Sequence, residues 1–292
     1  MNNDSGRRSN TFRGDAQAVT PVVGTVLAVA IVVILAAVIG ATSLGYTDKL
    51  GETSATAGGC DERIEFDPEN VDEYADDVKA SCLGISLWSF DESERSPTVP
   101  DGIGPNEGTI TGPATYITGI RNTALSHDRD SYVAVPDDES LNFEADESFS
   151  ITGWVNIDSP TGNIQSFVSK RDAYEDGYIF FMDSNDKLGL KFGDTSDARD
   201  VRSGSVPMNQ WVHVAAVVDR GDQTVSLYVD GEKLTTADVS SVSGSINPSS
   251  ELRMGTGTAA SDYDLDGAQD EFRIFSRALT SSEISELHSE KR

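Results

Sequence analysis

The chain has 292 residues, 37% of them hydrophobic, with 49 acidic against 22 basic side chains; its formal net charge is −27 and its isoelectric point is near 4.2. Length and apolar content suffice for a full-sized core, while the acid excess argues against a nucleic-acid partner, since phosphate binding takes clustered Lys and Arg. Lys is scarce, seven against fifteen Arg, and a surface this acidic repels itself unless molar salt shortens the Debye length to about 3 Å.

Arg7, Arg8 and Arg13 lead into a stretch with no Asp, Glu, Lys or Arg between Asp15 and Asp48. Its core, Val22 to Leu44, is 23 residues, which as a helix covers roughly 34 Å, enough to cross a hydrocarbon layer of about 30 Å. Basic residues before the span and acidic ones after it predict an N-terminus inside and everything beyond about Thr47 outside. A cleaved secretory signal fits poorly: its apolar core is about 7–15 residues and small residues follow it, whereas here they come first.

The segment Ala18-Val19-Thr20-Pro21-Val22-Val23-Gly24, followed by Val29-Ala30 and Ile34-Leu35-Ala36-Ala37-Val38-Ile39-Gly40, resembles the N-terminus of a haloarchaeal type IV prepilin. The resemblance implies cleavage on the cytoplasmic side by a prepilin peptidase. Two sites fit: after Gly14, before Asp15, and after Ala16, before Gln17, with a lean to the second. Pro21 suits a first helical turn. The small pairs Gly24 and Ala28, Ala36 and Gly40, and Ala37 and Ala41 let helix backbones approach closely. Packing with other pilin-like subunits is one reading, and a single-pass anchor that never assembles is the other. The acidic, Lys-poor composition looks haloarchaeal.

From Thr47 to about Ala80 the chain reads as a stalk, opening with the small polar run Gly51 to Gly59. Cys60 and Cys82 flank its acidic part; in an oxidising exterior they form a disulfide, with two free thiols as the alternative. Their separation does not suit zinc.

The remainder reads as one all-β domain. Phe149, Ile151, Val155 and Ile157 alternate along one strand with Gly153 between them. Trp211 to Val218 is an apolar run suited to a central strand. Gln223 to Val229 reaches the turn Asp230-Gly231, and Glu232-Lys233-Leu234 returns as a hairpin. Further strands are expected at 131–135, 164–170, 178–182, 187–192, 251–255 and 271–275. Thr280-Ser281-Ser282-Glu283 is a capping box opening a short helix with Ile284 and Leu287 on one face. Many short strands separated by Gly, Asp and Ser imply a two-sheet sandwich.

Tyr132-Val133-Ala134-Val135-Pro136, Phe149 to Val155, Val168-Ser169-Lys170, Trp211 to Ala215, Leu227 to Gly231 and Asp270 to Leu279 together resemble the laminin-G-like, concanavalin A-like jelly roll. The expected organisation is therefore a leader (1–16), a pilin-like hydrophobic helix (17–46), a stalk (47–83) and a mainly β jelly-roll domain (84–292) closed by a short helix. The resemblance implies a structural Ca2+ held by Asp270, with the neighbourhoods of Asp91 and of Asp128 to Asp130 supplying the rest. His127-Asp128-Arg129 departs from the family's usual Phe-Asp-Gly at that loop.

Catalysis is not expected. Retaining glycosidases need two carboxylates about 5–5.5 Å apart; the family's Glu-x-Asp-x-x-Glu pattern does not occur, and strand alternation puts Asp270 and Glu271 on opposite faces. His213 lies inside an apolar strand as a core residue. Asp262, Asp264 and Asp266 before Gly267 read as a solvated loop, because Arg273 stands where a calcium loop has its Glu. A sugar site needs an exposed aromatic, and Tyr174, Tyr178 and Tyr263 lie next to loops, whereas Trp88, Trp154 and Trp211 read as core. The expected protein is a surface-exposed, membrane-attached or pilus-borne adhesion module for an extracellular glycan or protein; the alternatives are an anchored lectin that does not assemble and a structural surface module.

Overall fold

A computed structural model describes residues 84–92, 96–172, 176–258 and 263–290. The prepilin leader, the apolar helix, the stalk, the cleavage positions Gly14 to Gln17, the cysteines Cys60 and Cys82, and Tyr174 and Asp262 lie outside the described residues. Among the described residues no helix is long and apolar enough to cross a membrane.

Sixteen strands follow in chain order: β1 (Ser86–Trp88), β2 (Thr98–Val99), β3 (Gly108–Thr111), β4 (Thr115–Thr118), β5 (Thr123–Asp128), β6 (Tyr132–Val135), β7 (Phe149–Ile157), β8 (Gln165–Arg171), β9 (Gly177–Met182), β10 (Leu188–Gly193), β11 (Ala198–Ser203), β12 (Trp211–Asp219), β13 (Thr224–Val229), β14 (Glu232–Asp238), β15 (Leu252–Met254) and β16 (Asp266–Phe275). A 3₁₀ turn, Glu139–Leu141, precedes β7, and one helix, α1 (Ser281–Ser289), follows β16. The first sheet runs β14-β13-β12-β7-β16-β5-β4, with β1 pairing the second half of β16. The second runs β11-β10-β9-β8-β15-β6-β3-β2. All pairings between named strands are antiparallel, and the two sheets close over one buried core that draws Phe149, Ile151, Val155 and Ile157 from β7 and Tyr178, Phe180 and Met182 from β9.

The alternation in β7 is a packing requirement. Its apolar residues face the core, and Gly153 makes room for the Phe272 ring, which would lie 2.5 Å from a Cβ at that position. Phe149 stacks on Phe143 at 4.2 Å between ring centres and meets Phe192 edge-on at 6.1 Å, geometries that add to simple area burial. On the outer face of the first sheet, α1 buries Ile284 and packs Leu287 against Ala215, Val217, Tyr228 and Phe275. The expected capping box forms, with Thr280 accepting the Glu283 N–H and Glu283 accepting the Thr280 N–H. Asp230 and Gly231, at φ +49° and +79°, make the expected hairpin turn.

Two expectations change. β16 begins at Asp266, not 271: Asp266 enters the sheet opposite Asp128 because Arg129 and Ser159 donate to its carboxylate. The strand also carries a bulge. Asp270 stands opposite Trp154 and Arg273 opposite Thr152, one residue more than the partner supplies, and Glu271 absorbs it at φ +50°.

Candidate functional site

The bulge places Glu271 on the outer face together with Thr152, Trp154, His213 and Arg273. Asp270 and Glu271 therefore share a side, correcting the opposite-face expectation, because an inserted residue breaks the two-residue period. Asp270 is buried and its Oδ2 accepts the N–H groups of Ile120 (2.6 Å) and Arg121 (3.2 Å). Oδ1 is buried without a hydrogen-bond partner. Burial pushes this carboxyl up to about 7; Glu271 and Asp91 add to the rise, against the two N–H bonds. The neighbouring cavity, about 10 Å³, is the size of one water.

Of the four carboxylates expected at a calcium ion, two meet. Asp91 accepts the Thr123 N–H (3.1 Å) and the Asn122 side-chain amide (3.0 Å), so Asp91 and Asp270 hold the β4–β5 turn from two sides. Asp128 and Asp130 stand at the far end of β5, where Asp128 faces Asp266. Calcium takes six to eight oxygens, whereas this turn offers Asp270 N–H groups. Among the described residues no group of three or more His, Cys, Asp or Glu converges to hold a metal. Asp91 and Asp270 stand at one end of β5, and Asp128 at the other.

The expected aromatic platform does not form at Tyr178. Its ring is fully buried between Phe143 and Phe149, and its hydroxyl donates to Leu141 O (3.1 Å). The residue lies beside a loop, but its alternation with Phe180 and Met182 turns it inward. Tyr263 is half-buried. Trp88 and Trp154 are buried as expected, Trp211 half-buried. His213 is buried against the Trp154 ring at 5.1 Å.

A roomier site lies on the same outer face, beside the start of α1. Thr224, Ser226 and Tyr228 point outward from β13 at alternate positions, Thr236 and Lys233 flank them on β14, and Ala278 to Ser281 form the opposite wall. Asp219 and Asp222 close one end of this cavity of about 250 Å³. Its side chains are already ordered by one another. Ser226 and Thr236 share a hydrogen bond (2.8 Å), Tyr228 and Ser281 another (3.1 Å), and the Lys233 ammonium sits 5.5 Å over the Tyr228 ring. The groove offers paired hydroxyls, two carboxylates and one cation. Its volume falls just below the range of about 300–1,000 Å³ for drug-sized ligands. Sequence reasoning missed it, although the Thr-x-Ser-x-Tyr period in β13 is visible.

Residues 127–285, more than half of the chain, match the profile of the concanavalin A-like lectin/glucanases superfamily. The chain belongs to that superfamily. Residues 17–58 match the archaeal type IV pilin N-terminal family, so this lectin-type domain follows a pilin-type N-terminal segment. Paraclostridial mosquitocidal protein 1 of Paraclostridium bifermentans is 22% identical over 250 residues, 77% of this chain and 19% of that protein; the chain spans about a fifth of that relative's length. The binding domain of the same protein superposes with a TM-score of 0.57 at 18% identity, over 70% of this chain and 51% of that one. Domain 4 of the arabinanase AbnA from Geobacillus stearothermophilus, solved in complex with arabinotriose, gives 0.55 at 23% identity over 70% of this chain and 97% of that domain. At these identities the superpositions establish the fold.

Proposed function

We propose that this chain is a cell-surface glycan-binding protein whose lectin-type domain is carried outside the cell by a pilin-type N-terminal segment. The observation that carries the reading is the groove between β13, β14 and the start of α1, with hydroxyls of Thr224, Ser226, Thr236, Thr280 and Ser281 lining a cavity of about 250 Å³. The sugar complex of the arabinanase domain supports it by analogy of fold. Many weak sites on one cell add up through multivalency.

A glycan array probed with the full-length chain tests the reading, and binding to no sugar removes it. The double variant Ser226→Ala/Thr236→Val deletes both partners of one hydrogen bond together, which costs little stability. It is expected to weaken glycan binding about tenfold, roughly 1.4 kcal/mol, with an unchanged unfolding midpoint. Unaltered affinity would place the sugar elsewhere.

The N-terminal segment sets the second part of the proposal, processing by a prepilin peptidase and packing of the apolar helix with other subunits. Mass spectrometry of the native N-terminus is expected to find Asp15 or Gln17 as the first residue. A start at Met1 or Asn2 would leave an uncleaved anchor carrying the same binding domain.

A further inference from the structure

The groove beside α1 has two electrically different ends. Lys233 stands opposite Tyr228 in the register of β13 and β14, at the end that Ser281 closes, whereas Asp219 stands opposite Thr224 at the other. Tyr228 and Thr224 are four residues apart on β13, about 14 Å at roughly 3.4 Å per residue. That separation exceeds the Debye length, about 8 Å at physiological ionic strength and about 3 Å in molar salt. The two ends therefore act on a ligand separately.

Lys233 is an unusual cation for this chain. Acids outnumber bases 49 to 22, and basic side chains are commonly held by carboxylates, as Arg121 is by Glu290, Arg202 by Asp200 and Arg253 by Glu251. Among the described residues no carboxylate forms an ion pair with Lys233. Its ammonium instead rests over the Tyr228 ring, 5.5 Å from the centre, and that ring is fixed by the hydrogen bond its hydroxyl shares with Ser281 (3.1 Å). A cation–π contact holds the ammonium over the groove and leaves its three N–H groups for a ligand. At the start of α1 the Thr280 N–H is already taken by Glu283, so Lys233 is the charged donor of this end.

Taking the groove as the sugar site proposed above, we infer that Lys233 selects glycans bearing an anionic substituent, a carboxylate or a sulfate. The anion seats at the Tyr228–Ser281 end, and the uncharged hydroxyls of the sugar run along β13 toward Thr224. Asp219 and Asp222 give the ligand its direction, because they repel an anion placed at their end. A net charge of −27 opposes the approach of any anion at low ionic strength. Molar salt screens that long-range repulsion, whereas an ammonium in direct contact with its anion lies within about one Debye length and keeps its attraction. Lys is a point charge rather than a planar fork, so it accepts a carboxylate and a sulfate alike.

Paired ligands test it, titrated into the full-length chain in detergent and molar salt: uronic acid oligosaccharides against their methyl esters, and sulfated against unsulfated forms of one neutral glycan. The acidic member of at least one pair is expected to bind about fivefold more tightly than its neutral counterpart, the effect of one exposed charge pair of about 1 kcal/mol. Whichever pair shows the preference identifies the anion as carboxylate or sulfate. Lys233→Met is expected to bring that ratio to about one, and Lys233→Arg, which keeps the charge, to retain it. Lys187→Met, on the exposed turn between β9 and β10, leaves the ratio as it was. Acidic and neutral forms that bind alike, or a preference that survives Lys233→Met, overturn the inference while the groove remains a glycan site. Binding to none of the four ligands overturns both.

Discussion

Asp270→Asn is expected to stabilise the lectin-type domain by about 2–4 kcal/mol at pH values above 7 in EDTA, and to flatten its stability between roughly pH 4 and 7. The sign follows from the direction of the shift. The folded chain holds this carboxyl at about 7, far above its ordinary 3.8, so folding favours the protonated form. That contribution is complete below the unfolded value and is lost as pH rises through about 7, where a buried carboxylate must ionise beside Glu271 and Asp91. Each tenfold step in the ionisation constant corresponds to about 1.4 kcal/mol. Asn keeps an acceptor for the Ile120 and Arg121 N–H groups but places an amide where Oδ1 lies, which holds the gain below the full electrostatic cost. Asp194 acts in the opposite direction. Burial alone would raise it, but hydrogen bonds from Ser196, Asp197 and Gly244 outweigh that and hold it at about 2, so its contribution is lost only in strong acid. Denaturation midpoints across the pH range decide the matter; a wild-type curve as flat as the variant's would mean that water reaches Asp270. Calcium provides a second arm: if Asp270 holds an ion, calcium raises the wild-type midpoint at pH 8 and leaves Asp270→Asn unmoved.

Much of the sandwich is legible where one residue type must do one job. Asp230-Gly231 supplies the positive φ values of its hairpin, Thr280 and Glu283 form the capping box, and the apolar run in β12 fills a central strand with neighbours on both sides. β11 and β4 were not legible: polar sequences such as Ala-Arg-Asp-Val-Arg-Ser are held by hydrogen bonds to a neighbour and leave little apolar alternation. The bulge at Glu271 escaped for a related reason, since period-two reasoning has no place for an extra residue until the partner strand is known. The groove was half visible. Thr224, Ser226 and Tyr228 announce a polar face, but its other wall, Ala278 to Ser281, is about fifty positions away in sequence and is brought in by the helix packing on the sheet.

Lys170→Met is expected to cost about 2–5 kcal/mol, although it exchanges a charged side chain for an apolar one of similar length. Lys170 is fully buried on β8, and its ammonium donates to Asp137 (2.7 Å), Asn142 (2.8 Å) and Pro248 O (2.5 Å). Three acceptors satisfy its three N–H groups, and they come from three separate segments, two bracketing the 3₁₀ turn and one preceding β15. The ion pair is the smaller part of the loss, because the Asp137 side chain is 41% exposed and returns to water when its partner is removed. The Asn142 carbonyl and Pro248 O cannot retreat as readily, and an acceptor left unmade in the interior costs about 1–3 kcal/mol. Asp137→Asn separates the two contributions: it removes the charge, keeps an acceptor, and is expected to cost less than about 1 kcal/mol. Salt provides the discriminating axis. A loss dominated by stranded acceptors persists in molar salt, whereas one dominated by the ion pair is screened away. Denaturation midpoints of the two variants at low and high salt read this directly, and a Lys170→Met deficit that vanished at high salt would overturn the assignment of Lys170 as the joint of these three segments.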